Sequence, residues 1–158
     1  MRIGILYGGK SGEHEVSLRS AASIVRNLSP DKYDPILIGI SKKGTFYLQA
    51  DSVLQNARTS ESPLELYEQE EALVSVIPGK GFFVKDRNMN LDFVFPIVHG
   101  TFGEDGTMQG LLEMADIPYA GASVLGSAVG MEKVLAKQIW EQQGLPVVPF
   151  FSVTPEQA

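Results

Sequence analysis

The chain has 158 residues, 13 Lys+Arg against 19 Asp+Glu, a formal net charge of −6 and no cysteine. That length suits one domain with a single core, able to bury ~70% of the unfolded chain's surface. With 44% hydrophobic and 20% charged residues the composition is globular, the lack of cysteine excludes disulfides, thiolate metal sites and a cysteine nucleophile, and an acidic chain with no basic cluster is a poor match for nucleic acid.

The first element is a short apolar run, Ile3 to Tyr7, ended by Gly8-Gly9. This run is too short for a signal peptide, and no apolar stretch approaches the ~20 residues of a membrane span, so no membrane contact and a cytoplasmic location are expected. Leu18, Ala21, Ala22, Val25 and Leu28 then recur at helical spacing, and Ser29-Pro30 stops the helix. Residues 35–40 read as a buried strand and 45–49 as another after a Lys43-Gly44 turn, giving a right-handed βαβ unit. Residues 51–90 read as an insertion carrying a hairpin, strands 72–77 and 82–85, at the edge of the sheet. A strand buried on both faces follows at 91–98.

Beyond the glycine-rich stretch His99 to Gly106, a helix is predicted with Met108, Leu111 and Leu112 inward, then a short strand around Pro118-Tyr119-Ala120. A helix from about Met131 to Gln143 places Met131, Val134, Leu135 and Ile139 on one stripe and stops at Gly144-Leu145-Pro146. Residues 147–153 read as a further strand. Thr154-Pro155-Glu156-Gln157 has the grammar of a helix start, a capping Thr with Pro at the first helical position, so the chain reads as the front part of something longer. The alternation predicts an α/β fold with a three-layer, mostly parallel sheet.

In such sheets ligands sit beyond the carboxyl ends of the strands. Two loops have that address, Gly8 to Ser17 and His99 to Gly106. The first has neither a dinucleotide fingerprint nor a Walker A motif, and Glu13 and Glu15 at a helix start would repel a phosphate while suiting a cation such as an amino acid's ammonium. Glu13 and Glu15 acting only as caps, with His14 a solvated turn residue, is the other reading. In the second loop His99 can hydrogen-bond a carboxylate or carry a proton, while Asp105 can equally cap the helix beginning near Gly106. With two histidines in the whole chain, a metal site formed here is not expected.

Gly-Gly-Lys-Ser-Gly-Glu-His-Glu-Val-Ser at 8–17, His-Gly-x-x-Gly-Glu-Asp-Gly at 99–106, and the run from Met108-Gln109-Gly110 to Met131-Glu132-Lys133 resemble D-alanine–D-alanine ligases, ATP-grasp enzymes that make the dipeptide of bacterial cell-wall precursors. The resemblance covers nearly the whole chain and is weakest at 51–90. It implies a Rossmann-like N-terminal substrate domain over 1–146, with 147–158 opening a following ATP-grasp domain. It also implies that Glu13 receives the ammonium of a first D-alanine, that Val16 borders its methyl group, and that His99 stands beside the same subsite. On the same grounds Glu104 and Asp105 shape the floor of the site, and Lys133 reaches ATP phosphate.

ATP and Mg²⁺ would be held mainly by residues after position 158, and the full-length parent would be a homodimer. The 158-residue chain alone is then expected to be catalytically silent. A stand-alone amino-acid or peptide binding module, and an interaction domain whose loops are ordinary turns, are the competing readings. A sibling ligase taking D-lactate or D-serine as second substrate stays open within the enzyme class.

Overall fold

The parallel core of the sheet is built on Arg2–Gly8 (β1), which is apolar enough to be covered on both faces. In the computed structural model, which describes residues 1–153, β1 pairs in parallel with Asp34–Ile40 (β2) on one side and with Phe93–Val98 (β7) on the other. Phe46–Leu48 (β3) adds antiparallel to β2, so the order is β3-β2-β1-β7. Pro96 sits in the middle of β7 without cost. Val94, two residues earlier, points its N–H outward to the Pro118 carbonyl, so Pro96 lacks a donor only on the side away from β1. The expected strand at 118–120 is reduced to a single parallel bridge, Val94 to Tyr119.

His14–Asn27 (α1) follows β1 and buries Leu18, Ala21, Ala22 and Val25 against one face of the sheet, together with Val53 and Ala57 of Asp51–Thr59 (α2). Burying each larger apolar side chain is worth about 1.5–3 kcal/mol relative to exposure. The opposite face carries Thr107–Met114 (α3), with Met108 and Leu112 inward and Leu111 at the margin. The predicted three-layer α/β fold is therefore present.

Residues 51–90 contain the expected hairpin as Val74–Ile77 (β4) and Gly81–Val84 (β5), extended by Arg87–Asn88 (β6) into a small antiparallel sheet of its own. It touches the edge of the main sheet through one bridge, Tyr47 to Leu73, and Val74, Phe82 and Met89 pack into the same cluster as α3. The hairpin thus covers a face as well as flanking an edge.

The C-terminal part departs from expectation. The helix expected from about Met131 to Gln143 is present as Lys133–Gln142 (α5), but an unpredicted helix, Val124–Met131 (α4), precedes it, separated by Glu132, whose extended backbone breaks the first and whose carboxylate caps the second at the Val134 N–H. The apolar stripe of α5 is largely outward: Leu135 is 42% and Ile139 38% exposed, and the buried residue of α5 is Ala136. Residues 147–153 form no strand, with Val148 76% and Phe151 87% exposed. They find no strand to pair with among the described residues. The helix start read at 154–158 lies outside those residues.

Candidate functional site

The parallel register sets Gly8 opposite Val98, so the loops leaving β1 and β7 emerge side by side at the carboxyl edge of the sheet. Beneath them Ser17, fully buried on α1, ties the two strand ends together. It accepts from the Gly8 N–H at 2.7 Å and donates to the Ile97 carbonyl. Gly8 has φ +92°, and a Cβ there would lie 2.3 Å from the Ile40 carbonyl oxygen, so the turn out of β1 requires glycine. His14 is buried rather than solvated, and its Nδ1–H donates to the Gly9 carbonyl at 2.7 Å. His14 is thus a brace of the first loop.

Above this base the loops meet. The Ser11 hydroxyl donates to the His99 carbonyl at 2.7 Å and accepts from the Glu13 N–H at 3.2 Å. A Cβ added at Gly100 would stand 2.9 Å from Glu13 Oε2 and 3.3 Å from the Ser11 Cβ. Glu13 and His99, 86 positions apart in the chain, are therefore on adjoining residues of one seam.

Glu13 occupies the N-cap position of α1 yet its carboxylate makes no cap hydrogen bond, and neither ion pair found among the described residues involves it. Glu15 points elsewhere, 3.0 Å from the Lys42 ammonium. That hydrogen bond, with the charge behind it, holds the Glu15 carboxyl below its ordinary range.

The second loop treats its carboxylates differently. Glu104 accepts from the Gly100 N–H at 2.7 Å. Asp105 accepts from the Phe102 N–H at 2.8 Å and the Thr107 N–H at 3.0 Å. Partial burial pushes the Asp105 carboxyl up, but these donors outweigh it and leave the group below the usual carboxylate range. Buried Gln109 on α3 adds a further tie from its amide N–H to the Gly103 carbonyl at 3.0 Å.

On the outer side of β7 a cleft of about 580 Å³ opens between α1 and α4, lined by His99, Ser20, Gln109, Ser127 and Met131 among others. His99 Nε2 lies 3.4 Å from the Ser20 hydroxyl. Glu13, Val16 and Ser20, spaced by three and four, lie on one side of α1; of the three, Ser20 lines this cleft, and Val16 is half exposed. Lys133 stands at the first turn of α5, exposed, two residues beyond the cleft-lining Met131.

The structure thus sets Glu13 against Gly100, the residue after His99, while the cleft itself is lined by His99 and Glu104 and by neither Glu13 nor Val16. It commits Glu104 and Asp105 to their own loop, and it leaves Lys133 at the rim. Sequence reasoning missed Ser11, His14 and Ser17 as parts of this base. The only signal available was a density of hydroxyls and one imidazole inside a glycine-rich turn.

A mostly parallel open sheet whose loops bring an unpaired carboxylate and an imidazole to its carboxyl edge belongs to the α/β class in which ligands bind beyond the strand ends. The D-ala D-ala ligase N-terminus profile matches residues 2–122, more than half of the chain, and the chain belongs to that family. It is 46% identical over 158 residues to a D-alanine–D-alanine ligase of Treponema denticola, covering 97% of this chain and 43% of the relative. It is 44% identical to a D-alanine–D-alanine ligase A of Chromobacterium violaceum, covering 100% and 44%.

Among solved structures, the D-alanine–D-alanine ligase from Coxiella burnetii superposes with a TM-score of 0.84 at 37% identity, over 100% of this chain and 46% of that one. The VanG D-Ala:D-Ser ligase from Enterococcus faecalis gives 0.76 at 35%, over 92% and 43%. The chain thus spans less than half the length of each of these relatives.

Proposed function

We propose that this chain supplies the first D-alanine subsite of a D-alanine–D-alanine ligase, an ATP-dependent enzyme forming the dipeptide used in peptidoglycan precursors. The observation that carries the reading is the Glu13 carboxylate, uncommitted at a helix start and pressed against Gly100 beside His99. A carboxylate so placed pairs with an ammonium by a charge-assisted hydrogen bond. Val16 borders the methyl group, and His99 faces the substrate's other end with its imidazole. Glu104 and Asp105 act indirectly, by holding the loop that carries His99 in shape.

Bound ATP would activate the carboxylate of the first D-alanine for attack by the amine of the second. Lys133, an exposed cation at the N-terminus of α5, fits a phosphate oxygen. No cluster of three or more His, Asp or Glu suited to a metal ion occurs among the described residues. The proposal therefore assigns Mg²⁺, and most of the nucleotide, to the part of the relatives that this chain does not span. In this reading 1–146 is the substrate domain and 147–158 leads into an ATP-grasp domain. The exposed apolar side chains of α5 and residues 145–153 suit the contact between them. The parent enzyme would be a cytoplasmic homodimer.

The test is phosphate release from ATP with Mg²⁺ and D-alanine, by the uninterrupted gene product beside the 158-residue chain. Release that needs D-alanine in the long form, with silence in the short form, is the expected result. A long form indifferent to D-alanine overturns the ligase reading and favours a binding module.

A further inference from the structure

Of the residues given roles on the first D-alanine, Glu13 and His99 sit on separate loops, and no hydrogen bond joins their side chains. The link between them is Ser11. Its hydroxyl donates to the carbonyl of His99 and accepts from the N–H of Glu13, at 2.7 and 3.2 Å. These two bonds use the one proton and one of the lone pairs of a single oxygen. They clamp the peptide that leads from His99 into Gly100 onto the residue whose carboxylate lies against Gly100.

Gly100 itself has φ +69°, and its N–H is held by Glu104 at 2.7 Å, so the turn behind His99 is fixed from both sides. Ser11 lies on the loop and not in the core, whereas the strand ends below are already joined by buried Ser17. Removing the Ser11 hydroxyl leaves that lower joint intact and frees only the upper one.

We propose that Ser11 is a positioning residue that sets the separation of the Glu13 carboxylate from the His99 imidazole, and through it the affinity for the first D-alanine. This rests on the ligase reading above. Ser11 acts through its two neighbours and touches no reacting atom. Its loss therefore weakens substrate binding while leaving the chemical step, once substrate is bound, nearly as fast.

The experiment is initial-rate phosphate release by the uninterrupted enzyme as D-alanine is varied, for the wild type, Ser11→Ala and Ser11→Thr. Loss of a hydrogen-bonded link of this size is expected to raise the KM for the first D-alanine about tenfold, with kcat changed by less than about twofold. Ser11→Thr, which keeps the hydroxyl, is expected to restore KM. In the 158-residue chain, hydrogen exchange at the Glu13 amide should quicken in Ser11→Ala, while amides at the centre of β1 keep their protection.

An unchanged KM in Ser11→Ala, in an enzyme whose wild type needs D-alanine, overturns the proposal and leaves the ligase reading standing. A fall in kcat together with loss of protection across β1 also overturns it, by showing a structural role. A wild type that ignores D-alanine overturns both readings at once.

Discussion

The two loops at the carboxyl edge of the sheet carry two acidic residues each and use them in opposite ways. The loop after β7 turns both carboxylates onto its own backbone, Glu104 to the Gly100 amide and Asp105 to those of Phe102 and Thr107. The loop after β1 holds its shape without carboxylates, by the Ser11 and Ser17 hydroxyls and the His14 imidazole. Glu13 is thereby left uncommitted, and Glu15 faces Lys42. An acidic residue near a helix start is thus ambiguous until its acceptor lone pairs are accounted for. Where the backbone occupies them, the residue builds the site. Where neutral groups have taken over that work, the charge remains for a ligand.

If that division is right, Glu13→Ala and Glu104→Ala should differ in kind. In the uninterrupted enzyme Glu13→Ala is expected to raise the KM for the first D-alanine about 100-fold, the loss of one charge-assisted hydrogen bond, without lowering the unfolding midpoint. Glu104→Ala should instead lower stability slightly, by less than about 1 kcal/mol because the carboxylate is exposed, with a KM effect well below that of Glu13→Ala. Equal KM effects from the two variants would end the distinction. The base beneath the loops gives the next largest effect. Ser17→Ala strands the Gly8 N–H and the Ile97 carbonyl in the core and should cost about 1–3 kcal/mol in urea denaturation.

The same contrast explains what could be read in advance. β1, α1, β2, β7 and α3 follow from apolar periodicity because each buries a full face. Glu13 and His99 could be singled out because they stand in loops beyond the carboxyl ends of strands, and Val16 only because its motif resembles a known family. The bracing roles of Ser11 and Ser17 were not legible, since their partners His99 and Ile97 lie 88 and 80 positions away and a hydroxyl carries no pattern of its own. α2 was missed because its nine residues bury just Val53 and Ala57. α4 was missed because Gly126, Gly130 and a single buried residue, Ser127, leave no apolar stripe. The apolar stripe on α5 was legible in the sequence, yet Leu135 and Ile139 on it are exposed. Periodicity reports which side of a helix seeks cover, and the described residues do not provide that cover.

Acid sharpens the comparison further. Asp105 has its carboxyl held below the usual range by loop amides, so it favours the folded state when ionised. That contribution is fully present above the unfolded value of about 3.9 and disappears as pH falls through the lower folded value. Asp105→Ala should therefore destabilise the protein at neutral pH, by about 1 kcal/mol or less because solvent screens the carboxylate, and progressively less below pH ~4. A deficit that stays constant down to pH ~2 would show that the amides bind the neutral acid equally well.

The smallest expected effect belongs to the first loop's other carboxylate. Glu15 and Lys42 meet at 3.0 Å with both side chains about 70% exposed. Solvent screens such a pair, and its geometry carries an entropic cost, so it should contribute little to stability. It does hold the Glu15 carboxyl low, chiefly through the Lys42 hydrogen bond, and Lys42→Ala should return that titration to the ordinary glutamate range by carboxyl NMR. Unfolding midpoint and D-alanine KM should both stay unchanged. A KM that moved with Lys42 would mean that the charge two residues from Glu13 is felt at the site, and the division between ligand-facing and outward-facing carboxylates on this loop would have to be redrawn.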